Sequence, residues 1–175
     1  MLNTHTQIIE RLGATDQLYL TENSPELALE RGDLRLQLVT LSKNRQERVY
    51  FLHEAIAILE SARIEFEEMP MRDYIQLSLQ LGKAYMMYFE LTQEHKFAII
   101  TQQILKPLAH LQDANVYFFL AYASSVKNEV ALTKHWLKKY AKTEYVDVQL
   151  LIEHSGFAGL RQESWFKDLV KAQLH

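Results

Sequence analysis

The chain has 175 residues, a length that fits one domain able to bury about two-thirds of its unfolded surface without cross-links. Its 22 acidic side chains against 19 Lys and Arg give a net charge of -3, far from the strongly basic balance that nucleic-acid binding calls for, so no nucleic-acid partner is expected. Cysteine is absent, which excludes disulfides, thiol catalysis and zinc sites built on Cys, and fits a reducing compartment.

The first residues, MLNTHTQIIERLGATDQLYL, lack the basic leader and apolar run of a signal peptide. Nowhere do about 18 apolar residues follow one another, the nearest approach being Val116 to Val126. A soluble, cytoplasmic protein with no membrane span is therefore expected. Charge is uneven along the chain: residues 1–90 carry 14 acidic and 9 basic side chains, and residues 91–175 carry 8 and 10.

Gly and Pro are scarce, and long stretches favour Ala, Leu, Glu, Lys and Gln, which enter a helix at little entropic cost. Residues 1–23 read as an N-terminal capping segment in which Ile8, Ile9 and Leu12 mark a short helix. Ser24-Pro25-Glu26 is a helix start, since Ser accepts a bond from an orphan amide and Pro has no amide to orphan. RLQLVTL (Arg35 to Leu41) alternates like a strand but stands alone among helical patterns, so it reads as helix.

Residues 46–68 place Val49, Leu52, Ile56, Leu59 and Arg63 or Ile64 at three- and four-residue steps, a long amphipathic helix that ends before Pro70. Asp73 caps a third helix running to about Leu91, broad enough in its apolar face to be buried on more than one side. The polar stretch Thr92 to His95 breaks it, Lys96 to Leu105 resumes the helical period, and Pro107 falls near its end. Asp113 caps NVYFFLAYASSV, Lys127-Asn128 makes a tight connection, and Glu129 to Ala141 supplies the antiparallel partner. The expectation is an all-α chain of hairpins over residues 24–70, 73–110 and 113–143, closed by C-terminal capping helices over 145–173.

Three stretches resemble tetratricopeptide repeats, whose helix pairs recur at roughly 34 residues with small residues where helices approach. HEAIAILESA (His53 to Ala62) resembles a repeat's second helix, with Ala55, Leu59 and Ala62 at the small, large and small positions. LSLQLGKAYMMY (Leu77 to Tyr88) and VYFFLAYASS (Val116 to Ser125) resemble first helices, with Leu81-Gly82 and Leu120-Ala121 as close-contact pairs; Gly82 to Ala121 spans 39 residues. FAGLRQESWFKDL (Phe157 to Leu169) is similar to the endings of many bacterial repeat proteins.

The resemblance implies a short right-handed superhelix with a concave groove lined by first helices. Carried over by position, the lining is Gln76, Leu79, Lys83, Met86 and Met87 from one hairpin, and Asn115, Phe118, Tyr122 and Ser125 from the next. Only Lys83 and Asn115 suit a carboxylate clamp, so none is expected. Leu79, Lys83, Met86, Met87, Asn115, Phe118 and Tyr122 are the candidate partner-binding residues, since thioethers repack and rings supply area at low entropy cost. The same Met and aromatic stripe at helical spacing also reads as plain core.

Chemistry of other kinds finds little footing. His53-Glu54 lacks a second His four residues after the first, position 57 being Ala, and the seven histidines show no pair at ligand spacing. Glu65, Glu67 and Glu68 end an amphipathic helix beside Arg63 and read as a solvated face. No nucleophile elbow, phosphate loop or dinucleotide fingerprint occurs. Trp136 and Trp165 read as burial between hairpins, and Lys127, Lys134, Lys138, Lys139 and Lys142 as a solvated basic face or a meeting place for an acidic partner.

The expected function is thus non-enzymatic, with no cofactor and no metal: an adaptor or chaperone-like scaffold holding a partner helix or peptide in an apolar groove, in a bacterial secretion, immunity or assembly system. A self-associating helical module is the alternative, with homo-oligomers, and an enzyme with an unrecognised site the more distant one.

Overall fold

A computed structural model describes residues 4–66 and 68–174. Glu67 of the acidic trio and the first three residues of the capping segment lie outside the described residues. The elements are α1 (His5–Tyr19), α2 (Pro25–Leu41), α3 (Arg45–Glu65), α4 (Met71–Thr92), α5 (His95–Leu105), α6 (Ala114–Val126), α7 (Val130–Ala141), α8 (Val148–Glu153) and α9 (Ser164–Gln173). Two 3-10 segments, Lys106–Leu111 and Ser155–Leu160, join α5 to α6 and α8 to α9. Among the described residues there is no strand, and no helix is long and apolar enough to cross a membrane.

Helix starts follow the polar residues that can satisfy orphan amides. Ser24 accepts from the Leu27 N–H at 3.1 Å with Pro25 opening α2, and Asn44 accepts from the Glu47 N–H at 3.0 Å. Asp113 accepts from the Asn115 and Val116 N–H groups at 2.8 and 3.1 Å. RLQLVTL is helical throughout, the last seven residues of α2. Helix ends at Gln93, Gln112 and Asn128 turn through the left-handed region, with φ of 59°, 59° and 60°, a conformation tolerated for single residues outside glycine at modest strain.

Asp73 departs from its expected role. Pro70 is the N-cap of α4 and makes no side-chain cap; its carbonyl accepts from the Asp73 and Tyr74 N–H groups at 3.0 and 3.1 Å, so the helix begins before Asp73. The residue after a proline is free to enter a helix, and Met71 does so, which places Asp73 inside the first turn and 3 % exposed. One of its carboxylate oxygens lies 3.4 Å from Arg72 Nε, and the other has no hydrogen-bond donor among the described residues.

The chain divides into two compact units, Met1–Gln93 and Glu94–His175. In the first, α1 packs on α2, α2 on α3, and α4 on both α2 and α3. Leu36, Val39, Leu52, Ala55 and Ala84 form its buried centre, flanked by Phe51, Ile56, Met87, Tyr88 and Leu91. Gly32 lets α2 approach α3: a Cβ there would sit 2.9 Å from Leu59 Cδ2. The expected N-terminal helix exists, with Ile8 buried against Leu34 and Leu38, while Ile9 faces outward.

That first helix is also held by charge. Arg35, 3 % exposed, donates to Asp16 Oδ2 at 2.8 Å, to Glu54 Oε2 at 3.2 Å and to the Arg31 carbonyl at 3.1 Å. Arg31 donates to Asp16 Oδ1 at 2.8 Å and lays its guanidinium 4.1 Å from the Tyr19 ring centre. Burial pushes the Asp16 carboxyl up, but hydrogen bonds from Arg35 and then Arg31, with their charges, hold it below its ordinary value.

In the second unit α6 is the axis: α5, α7 and both 3-10 segments pack on it, and α9 packs on α7 and α8. Its sequence is apolar on most of its circumference, and apart from exposed Asn115 the helix is buried or half-buried along its length. Phe157, fully buried, meets the Phe118 ring edge to face at 5.7 Å, and His154 stands 4.4 Å from the Tyr122 ring. Ser125 Oγ donates to the Gly156 carbonyl at 2.7 Å. A Cβ on Gly156 would sit 2.5 Å from the Tyr122 ring, so only glycine lets the segment lie this close.

Candidate functional site

The seven residues expected to line a groove fall in both units, four before Gln93 and three after Glu94. Leu79, Met86, Phe118 and Tyr122 are buried. Met87 is half-buried and packs on the Leu36, Val39, Leu52, Ala55 and Ala84 cluster. Phe118 is ringed by Tyr140, His154, Phe157 and Phe119 at 5.2 to 5.7 Å between ring centres. Lys83 and Asn115 are exposed. The apolar members are thus side chains already packed within the chain, and only the two polar ones stand at the surface.

An open apolar surface exists elsewhere, as a furrow of about 280 Å³ in the second unit. Both α5 and α7 pack on α6, and the furrow between them is floored by Leu120 and Trp136 and walled by Ile99 and Leu132. Ile99 is 40 % and Leu132 37 % exposed. Ile99, Gln103 and Lys106 recur on α5 and its continuation at three- to four-residue steps, as Glu129, Leu132 and Trp136 do along α7, so each helix contributes one stripe.

Gln102 and Glu129, polar groups of the lining, are paired with each other and with their neighbours. Gln102 Nε2 donates to Ser124 Oγ at 3.1 Å and to Glu129 Oε1 at 2.9 Å, while Lys127 Nζ donates to Gln102 Oε1 at 2.9 Å and pairs with Glu129 at 3.1 Å. The Gln102 hydrogen bond is the main cause that holds the Glu129 carboxyl below its ordinary value, with burial opposing and Lys127 assisting. Such a lock fixes the spacing of α5 and α7 without spending the apolar walls. Trp136 stacks on Tyr117 with ring centres 6.0 Å apart, which keeps the indole as a rigid floor.

The expected basic face is partly engaged. Lys127 belongs to the lock, Lys134 lies 5.7 Å from the Trp165 ring and Lys139 5.7 Å from the Tyr117 ring, while Lys138 and Lys142 are exposed. His53 Nε2 lies 2.6 Å from Tyr88 Oη, so the histidine beside Glu54 serves a hydrogen bond between α3 and α4. Among the described residues no group of three or more His, Asp and Glu side chains is set to hold a metal ion.

Sequence reasoning read Trp136 as burial between hairpins and passed over Ile99 and Leu132. The available signal was the Leu132, Trp136 pair one turn apart in α7, which marks a stripe but not its partner. Compared with known protein families, curated proteins and solved structures, the chain matches none.

Proposed function

We propose that this chain is a protein-binding helical module, of the degenerate tetratricopeptide-like kind its sequence resembles, acting as an adaptor or chaperone-like scaffold rather than as a catalyst. The observation that carries the reading is the furrow of α5 and α7, where two aliphatic side chains stand exposed over a rigid tryptophan while Gln102, Glu129 and Lys127 satisfy one another. Covering what remains exposed of Ile99 and Leu132 yields about 1–2 kcal/mol each, at roughly 25 cal/mol per Å² of apolar area. A partner helix presenting apolar residues at positions three and four apart suits such a furrow. Superhelical stacking of the hairpins is part of the same reading and supplies the family context for it.

The test compares the protein with an Ile99→Glu, Leu132→Glu double variant in affinity capture from the native source, followed by reconstitution with the purified partner. The expected result is a single partner that rebinds the parent chain and loses at least about tenfold in affinity for the variant, the loss of a few kcal/mol of apolar contact. A partner that rebinds both equally contradicts the furrow. Mass that rises with concentration and falls in the variant assigns the furrow to a second copy of the chain instead.

A further inference from the structure

The furrow carries a charge that its walls do not neutralise. Neither wall helix contains an acid: α5 (His95–Leu105) and α7 (Val130–Ala141) have no Asp or Glu, while α7 holds Lys134, Lys138 and Lys139. Glu129 is the one carboxylate of the described lining, and it pairs with Lys127 at 3.1 Å and accepts from Gln102. The charge is also placed at one end. Ser124, toward the end of α6, is met by Gln102, which also reaches Glu129, whereas Tyr117, near the start of α6, stacks on Trp136. Lys106 lines the furrow about one turn beyond Gln102, and Lys139 follows Trp136 by about one turn with its Nζ 5.7 Å from the Tyr117 ring. Both lysines thus stand toward the end away from the lock. Both are exposed, and neither is paired with a carboxylate among the described residues. Asp113, the acid at the start of α6, is turned to the Asn115 and Val116 amides.

Resting on the furrow as the docking site, we propose that its occupant is an acidic-tipped amphipathic helix of a partner protein. The aliphatic stripe of that helix covers Ile99, Leu132 and Trp136, and carboxylates at one end of the stripe lie over Lys106 and Lys139. Apolar contact alone does not fix the direction of a helix in a furrow, because an aliphatic stripe reads alike from either end. Charge does fix it: in one direction the carboxylates meet two unpaired lysines, and in the other they lie by Glu129. A helix tipped with lysines is repelled in the favoured register, so walls without acid exclude basic amphipathic helices as well as select acidic ones. Salt bears on this selection more than on the apolar contact, since exposed charges are screened over about 10 Å at roughly 0.1 M.

Fluorescence anisotropy of the full chain with three labelled helical peptides, sharing one Leu stripe and ending in two Glu, two Gln or two Lys, measures this selection. At low ionic strength the Glu-tipped peptide binds most tightly and the Lys-tipped one least, about fivefold or more apart, the scale of two exposed ion pairs. The gap narrows at high salt. Lys106→Glu together with Lys139→Glu, both at exposed positions, inverts the order. Lys138→Glu, which changes the net charge equally from the opposite side of α7, leaves the order as it was. Three equal affinities that all fall in the Ile99→Glu, Leu132→Glu variant keep the furrow as docking site and overturn its acidic occupant. No saturable binding, or binding that the furrow variant does not weaken, overturns furrow and occupant together. An order that survives reversal of Lys106 and Lys139 places the selection elsewhere on the chain and overturns the proposal. So does a mass of the chain alone that rises with concentration and falls in the Lys106, Lys139 variant, which gives the furrow to a second copy.

Discussion

The two units solve the problem of a helical core by different means. In Met1–Gln93 helices are tied to one another by side chains that reach across: Arg35 and Arg31 to Asp16, Arg45 to the Leu91 carbonyl at 2.6 Å, Arg48 to the Val39 carbonyl at 3.2 Å, and Arg63 to Ser78 and Tyr74. Tyr85 donates to Glu60 at 2.8 Å, and burial, then that bond and the Glu60 charge, push its phenol well above the ordinary range. In Glu94–His175 the centre is a set of rings and small residues around a mostly apolar helix, with polar ties at the Gln102, Lys127 and Glu129 lock and from Ser125 to the Gly156 carbonyl. A core built on directional polar contacts answers to pH; a core built on packed rings answers to volume.

The largest expected effect sharpens the second half of that contrast. Phe157→Ala removes a fully buried ring that touches Phe118, Tyr122 and His154, and the cavity costs about 3–5 kcal/mol. Both tryptophans, Trp136 and Trp165, belong to this unit, so urea unfolding followed by their fluorescence reads the loss directly. Gly156→Ala tests the opposite error, overfilling: its Cβ has only 2.5 Å to the Tyr122 ring, and the same assay reads a loss of about 1–3 kcal/mol.

Asp16→Asn addresses the first unit. It takes the carboxylate from buried Arg35 and leaves Glu54 and a backbone carbonyl as its acceptors. Because Asp16 itself is a third exposed, the expected loss is about 1–2 kcal/mol, well below that of a wholly buried pair. The sign with pH follows from a carboxyl held below its ordinary value of 3.8 in the folded chain. Its contribution is full above the unfolded value and is lost as pH falls through the lower folded one. The gap between parent and variant, measured by thermal unfolding under circular dichroism, therefore narrows below about pH 3.8. A gap that persists unchanged into that range contradicts the ion-pair account of α1. The smallest effect belongs to the furrow: Ile99→Glu and Leu132→Glu each lower stability by about 1 kcal/mol, since each side chain is already more than a third exposed.

Much of the helical organisation was readable because its determinants are local. Ser24-Pro25 and Asp113 cap as their chemistry requires, the Lys127-Asn128 connection is tight, and RLQLVTL is helical despite its alternation, since an isolated strand has no ladder to join. Asp73 misled because a carboxylate before an apolar run suits an N-cap equally well as a third helical residue, and Pro70 and Met71 decide between them. The candidate site was less readable. Met86, Phe118 and Tyr122 carry the same periodicity whether a neighbouring helix or a ligand covers them, and which neighbour covers α6 is settled by residues such as Phe157 and Gly156 more than 30 positions away. Ile99 and Leu132 look like any exposed aliphatic residue until α5 and α7 are seen to flank one furrow.

Photo-cross-linking from the furrow tests the proposed function most directly. A benzophenone side chain placed at position 132, and for comparison at exposed Tyr50 in the first unit, is activated in the native source and the adducts are mapped by mass spectrometry. The account predicts one protein joined from position 132 and not from position 50, through a residue on the apolar stripe of one of that partner's helices. No adduct at 132, or adducts only with a second copy of this chain, contradicts it.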